Sequence, residues 1–97
     1  MAIQLSDKER HFIKSQLIAK IPNAKYYVFG SRTKGTAKPS SDLDTLIVCP
    51  QTIPLNVLSD VREVFDESNL PFKVDIVDWH RISDEFREKI QSEWVEL

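Results

Sequence analysis

The chain has 97 residues, with 13 lysine or arginine against 15 aspartate or glutamate, a formal charge of −2 and 41% hydrophobic residues. That length supports one domain over residues 1–97 with a single modest core, and it leaves no room for a catalytic domain plus a separate substrate domain. The charge lacks the basic excess of a protein built to grip a long nucleic acid by its phosphates, so direct nucleic-acid binding is not expected.

The single cysteine, Cys49, excludes an internal disulfide and fits a reducing compartment. The opening MAIQLSDKER lacks the apolar core of a signal peptide, and no apolar run approaches membrane-spanning length. A cytoplasmic protein with no membrane partner is expected.

Ser6-Asp7-Lys8-Glu9 has capping-box spacing, and Phe12, Ile13, Leu17 and Ile21 follow at helical intervals until Pro22-Asn23 ends the helix. Lys25 to Phe29 (KYYVF) is short, aromatic and β-branched, a strand stopped by Gly30. Ser31 to Gly35 reads as a single helical turn, Lys38 to Ser41 as a loop, and Leu43 to Val48 as a second strand. Pro54 sits where the first position of a helix should be, and Leu58, Val61 and Phe65 recur after it up to about Ser68-Asn69. Phe72 to Val77 is a third strand. Ser83 caps a last helix carrying Phe86, Ile90 and Trp94 at four-residue steps. This alternation predicts an α/β domain, one small mixed sheet with helices packed on it.

The chemistry concentrates in VFGSRTKGTAKPSSDLDTLIV, residues 28–48. Aspartate is depleted in strands and like charges on one strand face repel, so Asp42 and Asp44, two residues apart, call for a cation between them. Two hard carboxylates suit Mg²⁺, which usually completes its octahedron with water and substrate phosphates. Gly30-Ser31, at a junction of strand and turn, offers free backbone N–H groups and a hydroxyl to an anion, with the positive charge of Arg32 and Lys34 close by. Phosphate seat and metal seat would then share one nucleotide. A second ion would need a third carboxylate, and Asp75 supplies it if the third strand pairs beside the second. Asp78 falls on the opposite strand face by alternation.

The run Gly30-Ser31-x-x-x-Gly35-x-x-x-x-x-Ser41-Asp42-x-Asp44 resembles the signature of the nucleotidyltransferase superfamily related to DNA polymerase beta, and Asp75 in KVDIVDW looks like its third metal ligand. At average residue usage, six fixed positions would match in on the order of 10⁻⁶ to 10⁻⁵ of chains this long, which makes the resemblance specific. The short chain is similar to the minimal nucleotidyltransferase branch nearly end to end. The resemblance implies a nucleotidyltransferase fold and transfer of AMP from ATP to an acceptor hydroxyl, with release of pyrophosphate. It gives Gly30 and Ser31 the terminal phosphates and places Ser41 with them on the nucleotide, while Arg32 and Lys34, at variable positions of the motif, are expected on the nucleotide from their charge alone. Asp42, Asp44 and Asp75 become the catalytic ligands of two Mg²⁺ ions. It further implies a partner, since members of this branch often serve as antitoxins to small helical HEPN-family toxins, some by adding AMP to a tyrosine of the toxin. A homodimer is the other partner considered.

Competing readings stay open from the residues alone. Gly30 and Gly35 have P-loop spacing, but Thr36-Ala37 replaces the Lys and Ser/Thr that a P-loop requires. His11 and His80 lack partners at metal-ligand spacing and read as surface or packing residues, and Cys49 reads as a small buried thiol. Trp79 and Trp94 are expected to seal the core, and Asp84, Glu85, Arg87, Glu88 and Lys89 to form a solvated helix face. At the level of function, a contact-only antitoxin and a transferase acting on a small hydroxylated molecule such as an aminoglycoside remain as alternatives.

Overall fold

In the computed structural model, which describes residues 3–97, the first helix begins where the capping box predicts it. Helix α1 spans Asp7–Lys20; the Ser6 hydroxyl accepts from the Glu9 amide at 3.1 Å and the Ser6 amide donates to Glu9 Oε1 at 2.9 Å. These two bonds satisfy donors that a helix start otherwise leaves unpaired. Its inward stripe is Ile13 and Leu17, both fully buried. The chain reverses through Asn23, whose φ is +62°, into strand β1, Lys25–Phe29.

Strand β2 (Leu43–Val48) runs antiparallel to β1, with Phe29 opposite Asp44, and strand β3 (Val74–Asp78) runs parallel to β2. The parallel pair needs a crossover, which helix α2 (Leu55–Asp66) provides. Pro54 caps this helix from just outside rather than occupying its first turn, its extended ψ of 143° keeping it out of helical geometry. Helix α3 covers Asp84–Gln91, capped by the Ser83 hydroxyl accepting from the Phe86 amide at 3.1 Å. It stops before Trp94, which therefore lies beyond the helix expected to carry it. A short strand β4, Val95–Glu96, then pairs antiparallel with β1, an element that two residues of sequence do not announce. The sheet order is β3-β2-β1-β4, and the fold is the expected mixed sheet with helices on it.

Strand alternation sorts the core into two faces. One face presents Tyr26, Val28, Leu43, Ile47, Val74 and Ile76 to the buried stripes of α1 and α2, Ile13, Leu17, Leu58, Val61 and Phe65. Fully burying each such aliphatic side chain contributes about 1.5–3 kcal/mol. The other face gathers Phe29 and Leu46 against Ile90 of α3, with Trp79 and Trp94 at its margin as expected. Trp94 stacks on Tyr27 with ring centroids 3.9 Å apart.

Asp78 lies on the α1/α2 face, away from Asp75. It is buried and accepts from the Ile53 and His80 amides at 2.9 and 3.0 Å, with Arg81 3.4 Å away. Arg87 departs from the solvated face foreseen for α3. It lies over the Trp79 ring at 4.9 Å and donates to the Trp79 carbonyl at 2.9 Å. Among the described residues, no helix is long and apolar enough to cross a membrane.

Candidate active site

The register of the sheet brings acidic residues together. Asp44 and Asp75 are direct partners across the parallel β2/β3 pair, and Asp42, one residue before β2 begins, lies close enough for its charge to act on Asp44. Asp44 sits beside the end of β1, where the chain leaves through Gly30 into a 3-10 turn, Gly30–Thr33. Gly30 has φ +81°, and a Cβ there would press into Asp44 Oδ2. Glycine is required here on both counts.

Burial raises the Asp44 pKa above the usual aspartate value, and the charges of Asp75, Asp42 and Glu93 push it further in the same direction. No lysine or arginine pairs with Asp42 or Asp44 among the described residues. Among the described residues, Asp75 pairs with Lys73, 3.9 Å away and well exposed, a pairing of little energetic weight. An uncompensated set of neighbouring carboxylates fits a divalent cation. Among the described residues, no three acidic, histidine or cysteine side chains close on one point as a cage. Mg²⁺ generally takes one or two carboxylates and leaves the rest of its shell to water and phosphate oxygens.

A model of the family described as "Nucleotidyltransferase domain" matches residues 12–96. The chain belongs to this family. A relative from Haemophilus influenzae that carries the name protein adenylyltransferase MntA is 36% identical over 93 residues, spanning 96% of this chain and 82% of the relative. A toxin-antitoxin structure with AMP-PNP superposes with a TM-score of 0.77, at 24% identity, over 89% of this chain and 69% of that one. A protein assigned as a minimal nucleotidyltransferase gives a TM-score of 0.73 at 26% identity, covering 94% of both chains. The fold is thus that of the minimal nucleotidyltransferases, as the resemblance implied.

Within this nucleotidyltransferase domain, the remaining expected residues divide. Ser31 is the second residue of the 3-10 turn, and its carbonyl accepts from the Lys34 amide at 3.2 Å. Ser41 closes the loop onto itself, its hydroxyl accepting from the Lys38 amide at 2.8 Å and its own amide donating to the Lys38 carbonyl at 3.0 Å. Lys34 is half exposed, with Nζ 3.0 Å from Glu93 Oε2.

Arg32 is the one that departs from expectation. Its side chain turns inward, 5% exposed, instead of toward the carboxylate face. Nη1 donates to the Gln4 carbonyl at 2.6 Å, Nη2 to the carbonyls of Ser41, Pro39 and Lys38 at 2.9, 3.1 and 3.3 Å, and Nε to Ser41 at 3.1 Å. The guanidinium also lies 4.0 Å from the centre of the Phe72 ring. The reason is steric and electrostatic: the irregular loop before β2 has carbonyls with no ladder to bond to, and a planar five-donor fork satisfies several at once.

Glu93 is the residue that sequence reading missed. Its Oε1 accepts from the Gly30 amide at 3.1 Å while Oε2 pairs with Lys34. Burial acts to raise its pKa, but the bonds from Lys34 and Gly30 outweigh it and hold the carboxyl below the usual glutamate range. Glu93 lies in the turn after α3, outside any motif, so no local signal marks it.

Two expected outcomes follow from this geometry. Gly30→Ala should cost about 1–2 kcal/mol for the positive φ and also displace Asp44, lowering both the melting temperature and the transfer rate. Gly35→Ala is the control, because Gly35 has φ +73° with nothing within 4 Å of an added Cβ, so stability alone should fall. The second outcome concerns pH. Since the folded pKa of Asp44 is raised, the folded state holds this proton more firmly than the unfolded chain, and stability at this site is lost as pH rises through the folded value. The melting temperature of Asp44→Asn relative to wild type should therefore climb as pH rises above the ordinary aspartate value, which thermal unfolding as a function of pH will read.

Proposed function

We propose that this nucleotidyltransferase transfers AMP from ATP, with Mg²⁺, to a hydroxyl of a partner protein of the small helical HEPN kind, a tyrosine being the expected acceptor, and so acts as its antitoxin. The observation that carries the reading is the register that sets Asp44 against Asp75 with Asp42 close by, next to Gly30-Ser31. The adenylyltransferase name of the Haemophilus influenzae relative and the toxin-antitoxin neighbour with AMP-PNP support the same reading. So does a further neighbour, a tri-AMPylated Shewanella oneidensis HEPN toxin in complex with its antitoxin, at a TM-score of 0.69.

In this mechanism Asp42, Asp44 and Asp75 would hold Mg²⁺, which supplies charge neutralisation at the attacking and leaving oxygens of an in-line displacement. Gly30 and Ser31 bind the terminal phosphates through the backbone amide and the hydroxyl, and Lys34 adds a mobile positive charge. Asp75 is half-buried on the edge strand of the sheet, a position that suits a partner that brings its own hydroxyl. Held in line, the acceptor oxygen forms a bond to the α-phosphorus as the bond to pyrophosphate breaks.

The test is to incubate the purified chain with Mg²⁺, α-labelled ATP and a lysate of its source, with Asp44→Asn as control. Label on one discrete protein, absent with the variant, is expected. Neutralisation of a bound partner without label would replace this reading with that of a contact-only antitoxin. Label on a small molecule would replace only the acceptor.

A further inference from the structure

Resting on the nucleotidyl-transfer reading, the geometry points to Glu93 as an internal anion that occupies the phosphate-holding groups and must leave them before a nucleotide can enter. The Gly30 amide and the Lys34 ammonium, the donor and the cation assigned to the terminal phosphates, converge on this one carboxylate at 3.1 and 3.0 Å. Two oxygens on one anionic centre, spanning a backbone N–H and a cation, are what a phosphate would present to the same pair. The site is therefore filled by a group of the chain's own, of the same charge sign and hydrogen-bonding character as the ligand.

The backbone around Glu93 is held in place, so exchange needs only the side chain to move. The Glu93 and Trp94 amides both donate to the Ile90 carbonyl, at 3.0 and 2.8 Å, and Trp94 is fixed by its stack on Tyr27. The Glu93 side chain is 16% exposed, with water at its edge to receive the carboxylate when it swings out. Its three rotatable bonds make that a change of rotamer without local unfolding. Until then, an incoming polyphosphate meets a like charge at the position it must take, which lowers its apparent affinity by the fraction of molecules with the seat open.

A plain clip holding the C-terminal segment to the end of β1 would make the same two contacts, and the two roles predict opposite results. The probe is inorganic tripolyphosphate in the presence of Mg²⁺, titrated calorimetrically into the full chain. Glu93→Gln, which keeps the size but not the charge, should bind it about tenfold more tightly than wild type. In a Lys34→Gln background that gain should vanish, because the competition is for Lys34. Equal or weaker binding by Glu93→Gln, a gain that persists without Lys34, or no binding by either protein would overturn the inference. Thermal unfolding checks that the variants are folded. If Glu93→Gln is not, Glu93→Asp takes its place: its shorter arm cannot span both partners, so tighter binding is again expected and unchanged or weaker binding overturns the inference. Its fate is separable from that of the transfer reading. Labelling of a partner with unchanged affinity in Glu93→Gln removes this inference alone, and tightened tripolyphosphate binding with no labelling removes the transfer reading alone.

Discussion

Asp44→Asn is expected to lower nucleotidyl transfer by at least about 10²- to 10³-fold, while the folded protein stays as stable as wild type or becomes more so. The two halves of this result have one origin. Asp44 is the carboxylate with most neighbours of its own sign, facing Asp75 across the strand pair and lying within reach of the Asp42 and Glu93 charges. Without a cation, those charges oppose one another and oppose folding, so the neutral amide relieves them. With a cation, the same carboxylate is a ligand that an amide replaces poorly. A steady-state assay with labelled ATP and a thermal melt of the same preparation measure both. A variant that melts well below wild type would mean that Asp44 is held by favourable contacts and that the site has no need of an added positive charge.

Arg32→Ala is expected to be the most damaging change to stability outside the apolar core, about 2–3 kcal/mol, or roughly 10–20 °C in melting temperature for a domain of this size. The substitution takes away the donors of four carbonyls and the cation over Phe72, and with them the guanidinium that ties the Gln4 carbonyl to those of the loop before β2. Arg32→Lys should restore only part of the loss, since one ammonium cannot reach carbonyls spread around a planar fork. Denaturant or thermal unfolding decides it. If the melting temperature of Arg32→Ala is unchanged while nucleotide affinity falls, Arg32 acts on the ligand after all.

The parts of the molecule that were legible in the sequence are those where local chemistry and fold agree. The capping box at Ser6 and Glu9, the apolar stripe Leu58-Val61-Phe65 and the β-branched runs each specify their element within a few residues, because burial and cap bonds act at short range. The nearness of Asp42 to Asp44 was legible from their spacing, although Asp42 lies just outside β2. Asp75 needed one further condition, a parallel neighbour, which the sheet meets in exact register. What stayed hidden depends on contacts distant in sequence. β4 exists because β1 has an open edge 67 positions earlier, from Val28 to its partner Val95, and Glu93 matters because of Gly30 and Lys34. Arg32 was misread for the opposite reason: a basic residue beside glycine and serine suggests a phosphate, and only the position of the loop carbonyls shows that its donors are already taken.

The order β3-β2-β1-β4 divides the working surface between segments of unequal endurance. Asp44 rides on β2, bonded to a strand on each side, whereas Glu93 precedes a two-residue strand at the sheet's edge. Amide hydrogens of β2 should therefore exchange with deuterium only on global opening, and those of β4 through frequent local fraying. Asp44 therefore keeps its place through opening at β4, a motion separate from the side-chain rotation that would free Gly30 and Lys34 from Glu93.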